Sequence, residues 1–207
     1  HHKKLRRGMH SGNRFRLVLR EFSALDEHYV EIESRLQAIA QNGVPNYFGE
    51  QRFGHDCGNL VQAQTLIERD QLKGNRRGTG MILSAARSWL YNLVVAERIR
   101  RDSWSTAMEF ETQPCAPLWG RGRSSAGGDL AELEKQILAD WQSWCYALEH
   151  AGLKQERRAI VLVPDALQWQ RLGPDQLELS FGLTTGGFAT AVLREIAELF
   201  RPQIQAL

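Results

Sequence analysis

The sequence predicts an α+β protein: a mixed sheet whose strands lie near the two ends of the chain, interrupted by a mostly helical stretch. Two patterns carry this. Strand-type segments occur around residues 15–21, 159–163 and 177–183, and segments with helical spacing fill most of the interval between them. At 207 residues, 43% of them hydrophobic, the chain has the length for one large domain or two small ones and ample material for a core.

The elements follow in order. Residues 15–21 mix Phe, Arg, Leu and Val in the manner of a strand. Asp26 is placed to cap a helix carrying Tyr29, Val30, Ile32, Leu36 and Ala40, which Asn42-Gly43 and Pro45 end. Residues 59–72 are amphipathic and predict a second helix. Ser84 opens a third, with Leu90, Leu93, Val94 and Ile99 on its apolar side and Arg98, Arg100 and Arg101 in its last turns. Residues 113–128, rich in Gly, Pro and Ser, predict a loop. Asp129 begins a long helix through Leu133, Ile137, Leu138, Trp141, Trp144 and Leu148, closed by Gly152. Its tryptophans fall at helical spacing, which favours core packing over base stacking. Residues 159–163 and 177–183 read as strands. A final helix spans 188–200 and stops before Pro202.

Composition excludes several classes. The net charge of +2 announces no bulk polyanion binder. The basic residues are clustered, however. Lys3, Lys4, Arg6, Arg7, Arg14, Arg16 and Arg20 share the first 20 residues with no acid, and residues 73–77 and 121–123 form two further patches. Such runs are solvated faces or phosphate contacts. Cys57, Cys115 and Cys145 form no C-x-x-C, which fits a reducing cytoplasm and argues against a disulfide scaffold or zinc site. The histidines make no H-E-x-x-H, and His55 with Cys57 is too small a set for a metal. No run of about 18 apolar residues predicts a membrane span. No G-x-x-x-x-G-K-[ST], G-x-S-x-G or strand-following G-x-G-x-x-G occurs. No metal and no membrane span are therefore expected; the chain reads as soluble, and a monomer is the expectation that composition leaves unsettled.

The run Gly43-Val44-Pro45-Asn46-Tyr47-Phe48-Gly49-Glu50-Gln51-Arg52-Phe53-Gly54 is the most informative local feature. Two aromatic-glycine pairs flank a Gln-Arg. Rings beside positions where backbone can approach closely, with a guanidinium fork between them, suit an unstacked RNA base and its phosphate. A tight turn with two packed aromatics accounts for the same composition.

The string itself resembles the G-V-P-N-Y-F-G-x-Q-R-F-G signature of the TruD family of tRNA pseudouridine synthases. Four more stretches agree in the family's order. Gly12-Asn13-Arg14-Phe15-Arg16-Leu17-Val18-Leu19-Arg20-Glu21 is similar to its G-N-x-F-x-L-V-L-R-E strand. Leu83-Ser84-Ala85-Ala86-Arg87-Ser88-Trp89-Leu90-Tyr91-Asn92 is similar to its L-S-A-x-R-S-x-L-F-N helix. Ala116-Pro117-Leu118-Trp119-Gly120 resembles a turn of its inserted domain. Gly187 to Glu195 resembles its closing G-x-[FY]-A-T-x-x-L-R-E. Thr184-Thr185-Gly186 departs from the family's Leu-Pro-x-Gly just before it. The join Asp102-Ser103-Trp104-Ser105-Thr106-Ala107 is shorter than family members usually have there.

The resemblance implies a pseudouridine-synthase fold, a mixed, largely antiparallel sheet with helices, carrying a mostly helical TRUD insertion domain. It places residues 1–42 and 165–207 in the catalytic domain and 43–164 in the insertion. It implies isomerisation of uridine 13 in the tRNA D arm. Asn13, Phe15 and Phe188 are the implied substrate-binding residues, and Tyr47, Phe48, Gln51 and Arg52 possible RNA contacts. The partner is tRNA; no cofactor is needed. The family's nucleophilic aspartate sits in G-x-K-D-x-x-A-x-T-x-Q, upstream of the G-N-x-F strand, and no Gly-x-Lys-Asp occurs here. This segment is accordingly expected to be a C-terminal part, inactive alone, with no catalytic residue of its own. The alternatives are a non-catalytic RNA-binding fragment or remnant, and a structural helical domain whose aromatics are all core.

Overall fold

The computed structural model describes residues 11–72 and 78–198. In chain order these form β1 (Gly12–Leu19), α1 (Tyr29–Asn42), β2 (Val44–Pro45), two 3₁₀ turns (Glu50–Phe53 and His55–Cys57), α2 (Gly58–Glu68) and α3 (Thr79–Arg100). There follow β3 (Cys115–Leu118), α4 (Gly128–Ile137), a 3₁₀ turn (Ala139–Trp141), α5 (Gln142–His150), β4 (Glu156–Ala159) and β5 (Val161–Leu162). The chain closes with β6 (Asp165–Gly173), β7 (Gln176–Thr184) and α6 (Ala189–Arg194). The fold is α+β, with antiparallel strand pairs and helices. Two compact units result: His1–Val44 with Leu162–Leu207, and Pro45–Val161.

The first unit is built on a three-stranded antiparallel sheet in the order β1-β7-β6. The register runs from Gly12 opposite Thr184 to Leu19 opposite Leu177. Alternation puts Phe15, Leu17 and Leu19 on the face of Leu177, Leu179, Phe181 and Leu183. That face is the core, closed by Leu36 and Ile39 of α1 and by Ala191, Val192 and Leu193 of α6. The opposite face is polar, with Arg16 Nε donating to Glu178 Oε2 at 3.0 Å. α1 ends where Gly43 takes φ 75°, a left-handed conformation that glycine adopts without steric penalty, and its N–H donates to the Ile39 carbonyl.

The second unit is organised by the 22 residues of α3. Ala85, Ala86, Leu90, Tyr91, Val94 and Val95 of this helix are completely buried. Phe53, Trp89, Trp141 and Trp144 form a run of edge-to-face rings with successive centroids 6.1, 5.7 and 4.9 Å apart. Trp144 also donates its indole N–H to Gln64 Oε1 at 2.7 Å. Trp144 therefore packs as core, and Trp141, half-buried in the turn between α4 and α5, packs against it. β3 and β4 pair antiparallel, Cys115 opposite Ala159 and Leu118 opposite Glu156.

Several sequence expectations change. β1 begins at Gly12 rather than Phe15 and ends before Glu21, whose φ of 54° breaks the strand. Asp26 does not cap α1: it ion-pairs with Arg171, and His28 takes the cap position without a side-chain bond. α2 ends at Glu68, followed by Asp70 at φ 51°. α3 starts at Thr79, five residues before Ser84. The long helix divides at Leu138, whose carbonyl accepts from Trp141 N–H and from the Gln142 side chain. Residues 115–118, expected in a loop, form β3, and the 159–163 strand is shared between β4 and β5. β6 was unanticipated. Its Leu167 and Trp169 pack on the core, and the Pro174-Asp175 turn joins it to β7. The last helix, expected over 188–200, spans only Ala189–Arg194, and the chain leaves it at Glu195. The basic residues 3–7, the patch 73–77 and Phe200 with Pro202 lie outside the described residues.

Candidate functional site

In the first unit, a cleft of about 410 Å³ opens where β1 begins and β7 ends. Asn13 lines it beside Arg14, Asp165 and Gly182. The Asn13 backbone is committed to the ladder opposite Leu183, while its residue surface is exposed. Two close approaches shape this end. A Cβ at Gly12 would stand 2.3 Å from the Leu183 carbonyl oxygen, so only glycine lets the strands meet there. The Thr185 N–H then donates to the Ser11 carbonyl at 3.2 Å, tying the strand start to the turn before α6.

Phe188 follows that turn. It is half-buried, with extended backbone (φ −114°, ψ 128°), and its carbonyl accepts from the Ala191 N–H at 3.0 Å as α6 begins. Gly187 before it packs on Leu183, the cross-strand partner of Asn13. Asn13 and Phe188 thus belong to the same end of the sheet. Phe15 shares the Asn13 face by alternation; its ring is half-buried, 5.6 Å from Phe181. The cleft also presents a carboxylate, Asp165, whose Oδ2 is 3.7 Å from Arg14 Nη2, both side chains being largely exposed. Chemically, this is an open edge with a carboxamide able to donate and accept, a guanidinium, and aromatic rings nearby.

From Pro45 onward the aromatic-glycine run lies in the second unit and is fastened to α3. Asn92 uses its carboxamide like a strand, accepting from the Phe48 N–H at 3.0 Å and donating to the Phe48 carbonyl at 2.9 Å. Asn46 donates from Nδ2 to the Ala159 carbonyl and accepts from Arg158 at 2.6 Å. The Phe48 ring is buried, edge-on to Tyr91, with the Arg158 guanidinium 4.1 Å and that of Arg52 5.1 Å from its centroid. Arg52 also donates to Ser84 Oγ at 2.8 Å. Burial, and then the neighbouring Arg158 charge, lower the Arg52 pKa; burial drives the Tyr91 hydroxyl well above the usual phenol range. Of the four possible RNA contacts, Gln51 is exposed, Tyr47 and Arg52 are half-buried, and Phe48 is inside. Phe53 is buried as well, so both rings of the run are packed.

A buried ionic cluster escaped the sequence reading. Arg98 and Glu111 are both fully enclosed and pair at 3.0 Å. Arg98 also donates to the carbonyls of Ser103 and Thr106, and Glu111 accepts from the N–H groups of Met108 and Cys115. Burial opposes the Glu111 charge, but these backbone bonds and Arg98 outweigh it and hold its pKa below the ordinary value. Arg157 joins through Glu134 at 2.6 Å and the Cys115 thiol at 3.0 Å. The helix-end position of Arg98 suggested only a dipole contact; its partner lies 13 residues on, in a segment without periodicity. Among the described residues, no group of three or more His, Cys, Asp or Glu is placed to hold a metal.

The family model described as tRNA pseudouridine synthase D (TruD) matches residues 1–73 and 104–196. The chain belongs to the TruD family. Among its relatives, a tRNA pseudouridine synthase D of Cellvibrio japonicus is 44% identical, over 99% of this chain and 61% of its own length. Proteins of the same name from Hydrogenovibrio crunogenus and Stutzerimonas stutzeri are 37% and 38% identical, each over 96% of this chain and 64% of their own. The chain thus spans about three fifths of the length of these TruD relatives. The alignment with the Cellvibrio protein runs over 209 residues, barely more than this chain, whereas the others run over 227 and 226. A TruD protein with about this chain's length across the matched part therefore exists. Among the described residues, no helix is long and apolar enough to cross a membrane.

Proposed function

We propose that this chain is the C-terminal part of a tRNA pseudouridine synthase that isomerises uridine 13 in the D arm. The observation that carries the reading is the open end of β1 and β7, where Asn13 pairs with Leu183 and Gly187, just before Phe188, packs on that same Leu183, in a TruD-family chain. The isomerisation breaks the N-glycosidic bond, turns the uracil and rejoins it through C5. It needs a carboxylate against a flipped-out nucleotide, polar groups that orient it and an aromatic surface for the detached base. In this reading Asn13 orients the carboxylate and the ribose, Phe15 lies under the target base, and Phe188 is the second aromatic contact to the nucleotide. The partner is tRNA, in the cytoplasm. The first unit (1–42 and 165–207 in the sequence reading) serves as the catalytic domain and the second (43–164) as the TRUD insertion. Tyr47, Phe48, Gln51 and Arg52 then order the insertion beside the RNA path, Gln51 as the exposed member.

The sequence holds no Gly-x-Lys-Asp, and the nucleophilic aspartate is read as belonging to the family segment upstream of the G-N-x-F strand. The test is tritium release from tRNA carrying 5-tritiated uridine, with this chain and with the chain extended by its upstream coding sequence. Release only from the extended form, with tRNA bound by both, supports the reading. Release from the chain alone would assign the chemistry to a carboxylate within it, and Asp165→Asn identifies whether the one lining the cleft is responsible. Binding without release from either form favours a non-catalytic RNA-binding remnant, a reading that the missing motif keeps in view.

A further inference from the structure

We propose that a second cleft, in the helical unit and walled by Phe110, holds an unstacked base of the RNA; this rests on the reading that RNA is the substrate. The cleft measures about 540 Å³ and is lined by Phe110, Gln113, Arg123, Gln155 and Arg157 among others. Phe110 is 58% exposed, and its φ is 71°. A bulky residue in the left-handed region is strained, and such strain persists only where neighbouring structure enforces it, most often at functional positions. Here the enforcement is the buried cluster next door. Glu111 is gripped by Arg98, Met108 N–H and Cys115 N–H, so the residue before it has no freedom to relax.

One face of the ring is already occupied. A Cβ at Gly127 would stand 3.0 to 3.1 Å from Cζ, Cε1 and Cε2 of Phe110 together, a geometry that places Gly127 over the ring face rather than beyond its edge. The ring is therefore clamped on backbone, and its exposure belongs to the opposite face. A clamped ring with one open face is a stacking platform. The cleft beside it offers amide groups suited to base edges. Gln155 Oε1 accepts from the Gly120 N–H at 2.7 Å, while its Nε2, enclosed at the wall, finds no acceptor among the described residues. The ionic groups of the lining, Glu111 and Glu156 against Arg123 and Arg157, balance in sign. That balance suits a neutral base better than a phosphate.

The experiment measures binding of a fluorescein-labelled, unmodified tRNA transcript by the unaltered chain, Phe110→Gly and Phe110→Trp, with melting temperatures taken in parallel. Glycine relieves the strained backbone, so Phe110→Gly is expected to melt at or above the parent temperature while binding tRNA about 5- to 150-fold more weakly, the range for losing one stacked base. Phe110→Trp retains the platform and is expected to bind within about twofold of the parent. Parent-like binding by Phe110→Gly overturns the site and leaves the RNA reading standing. Equal losses in both variants also overturn it, since a stacking surface survives in tryptophan. Failure of the unaltered chain to bind tRNA removes the RNA reading itself, and this inference with it.

Discussion

At Asn13 the proposed reading separates stability from function: the backbone is held in the β1–β7 ladder while the residue lines the cleft. If the extended polypeptide carries the proposed activity, Asn13→Ala in it is expected to leave the melting temperature unchanged and to lower single-turnover pseudouridine formation about 10²- to 10³-fold, as removal of one oriented polar group at a reacting centre does. Glu111 behaves in the opposite way. Replacing it with Gln leaves Arg98 charged and fully enclosed, and urea unfolding should show a loss of about 3–5 kcal/mol. The sign with pH follows from its lowered pKa. The folded state holds the carboxylate more tightly than the unfolded chain, so this stability is complete above the ordinary value of 4.5 and is lost as pH falls through the lower folded value. Glu97, held to about 2 by Arg100 and then Arg101, adds in the same direction at the surface. Melting temperatures from pH 7 to 3 check both, and the acid-induced fall should be shallower in Glu111→Gln. In the sequence Arg98 stood out only as a base at a helix end and Glu111 not at all, because an ion pair across an aperiodic loop leaves no spacing signal.

Among the elements, those governed by one strong period were legible: α1, the body of α3, and β7 with its alternating Leu177, Leu179, Phe181 and Leu183. Phe181 is fully buried against Phe15, and Phe181→Ala should cost about 3–5 kcal/mol by denaturant titration. The division of 129–150 was hidden because Leu130, Leu133, Leu138, Trp144 and Leu148 keep nearly helical spacing across it while the backbone at Leu138 departs to φ −94°, ψ 11°. β6 did carry a signal: Leu167 and Trp169 alternate with glutamines ahead of Gly173-Pro174-Asp175, a hairpin turn by composition. β3 carried almost none, being four residues with a proline inside. The candidate site residues Asn13, Phe15 and Phe188 came from resemblance to a family string. Their nearness does not follow from local pattern, since it depends on pairing between residues 170 positions apart.

For the whole molecule, the second unit is one continuous segment, while the first is assembled from both ends of the chain. Within the second unit the ends already meet: the Asn46 N–H donates to the Ile160 carbonyl at 2.7 Å and its side chain to Ala159. A polypeptide of residues 45–161 is therefore expected to fold alone, with a single cooperative helical transition by circular dichroism. A non-cooperative melt would show that its core depends on the rest of the chain. The indoles provide an optical way to watch this unit. Of the six tryptophans, only Trp169 lies outside residues 45–161, and Trp89, Trp141 and Trp144 stand edge to face in one rigid row. Transition dipoles that close and that fixed couple, so the near-ultraviolet dichroism of the native chain should carry an exciton signature belonging almost wholly to the helical unit, lost when Trp141 is replaced by phenylalanine and blind to events at the sheet.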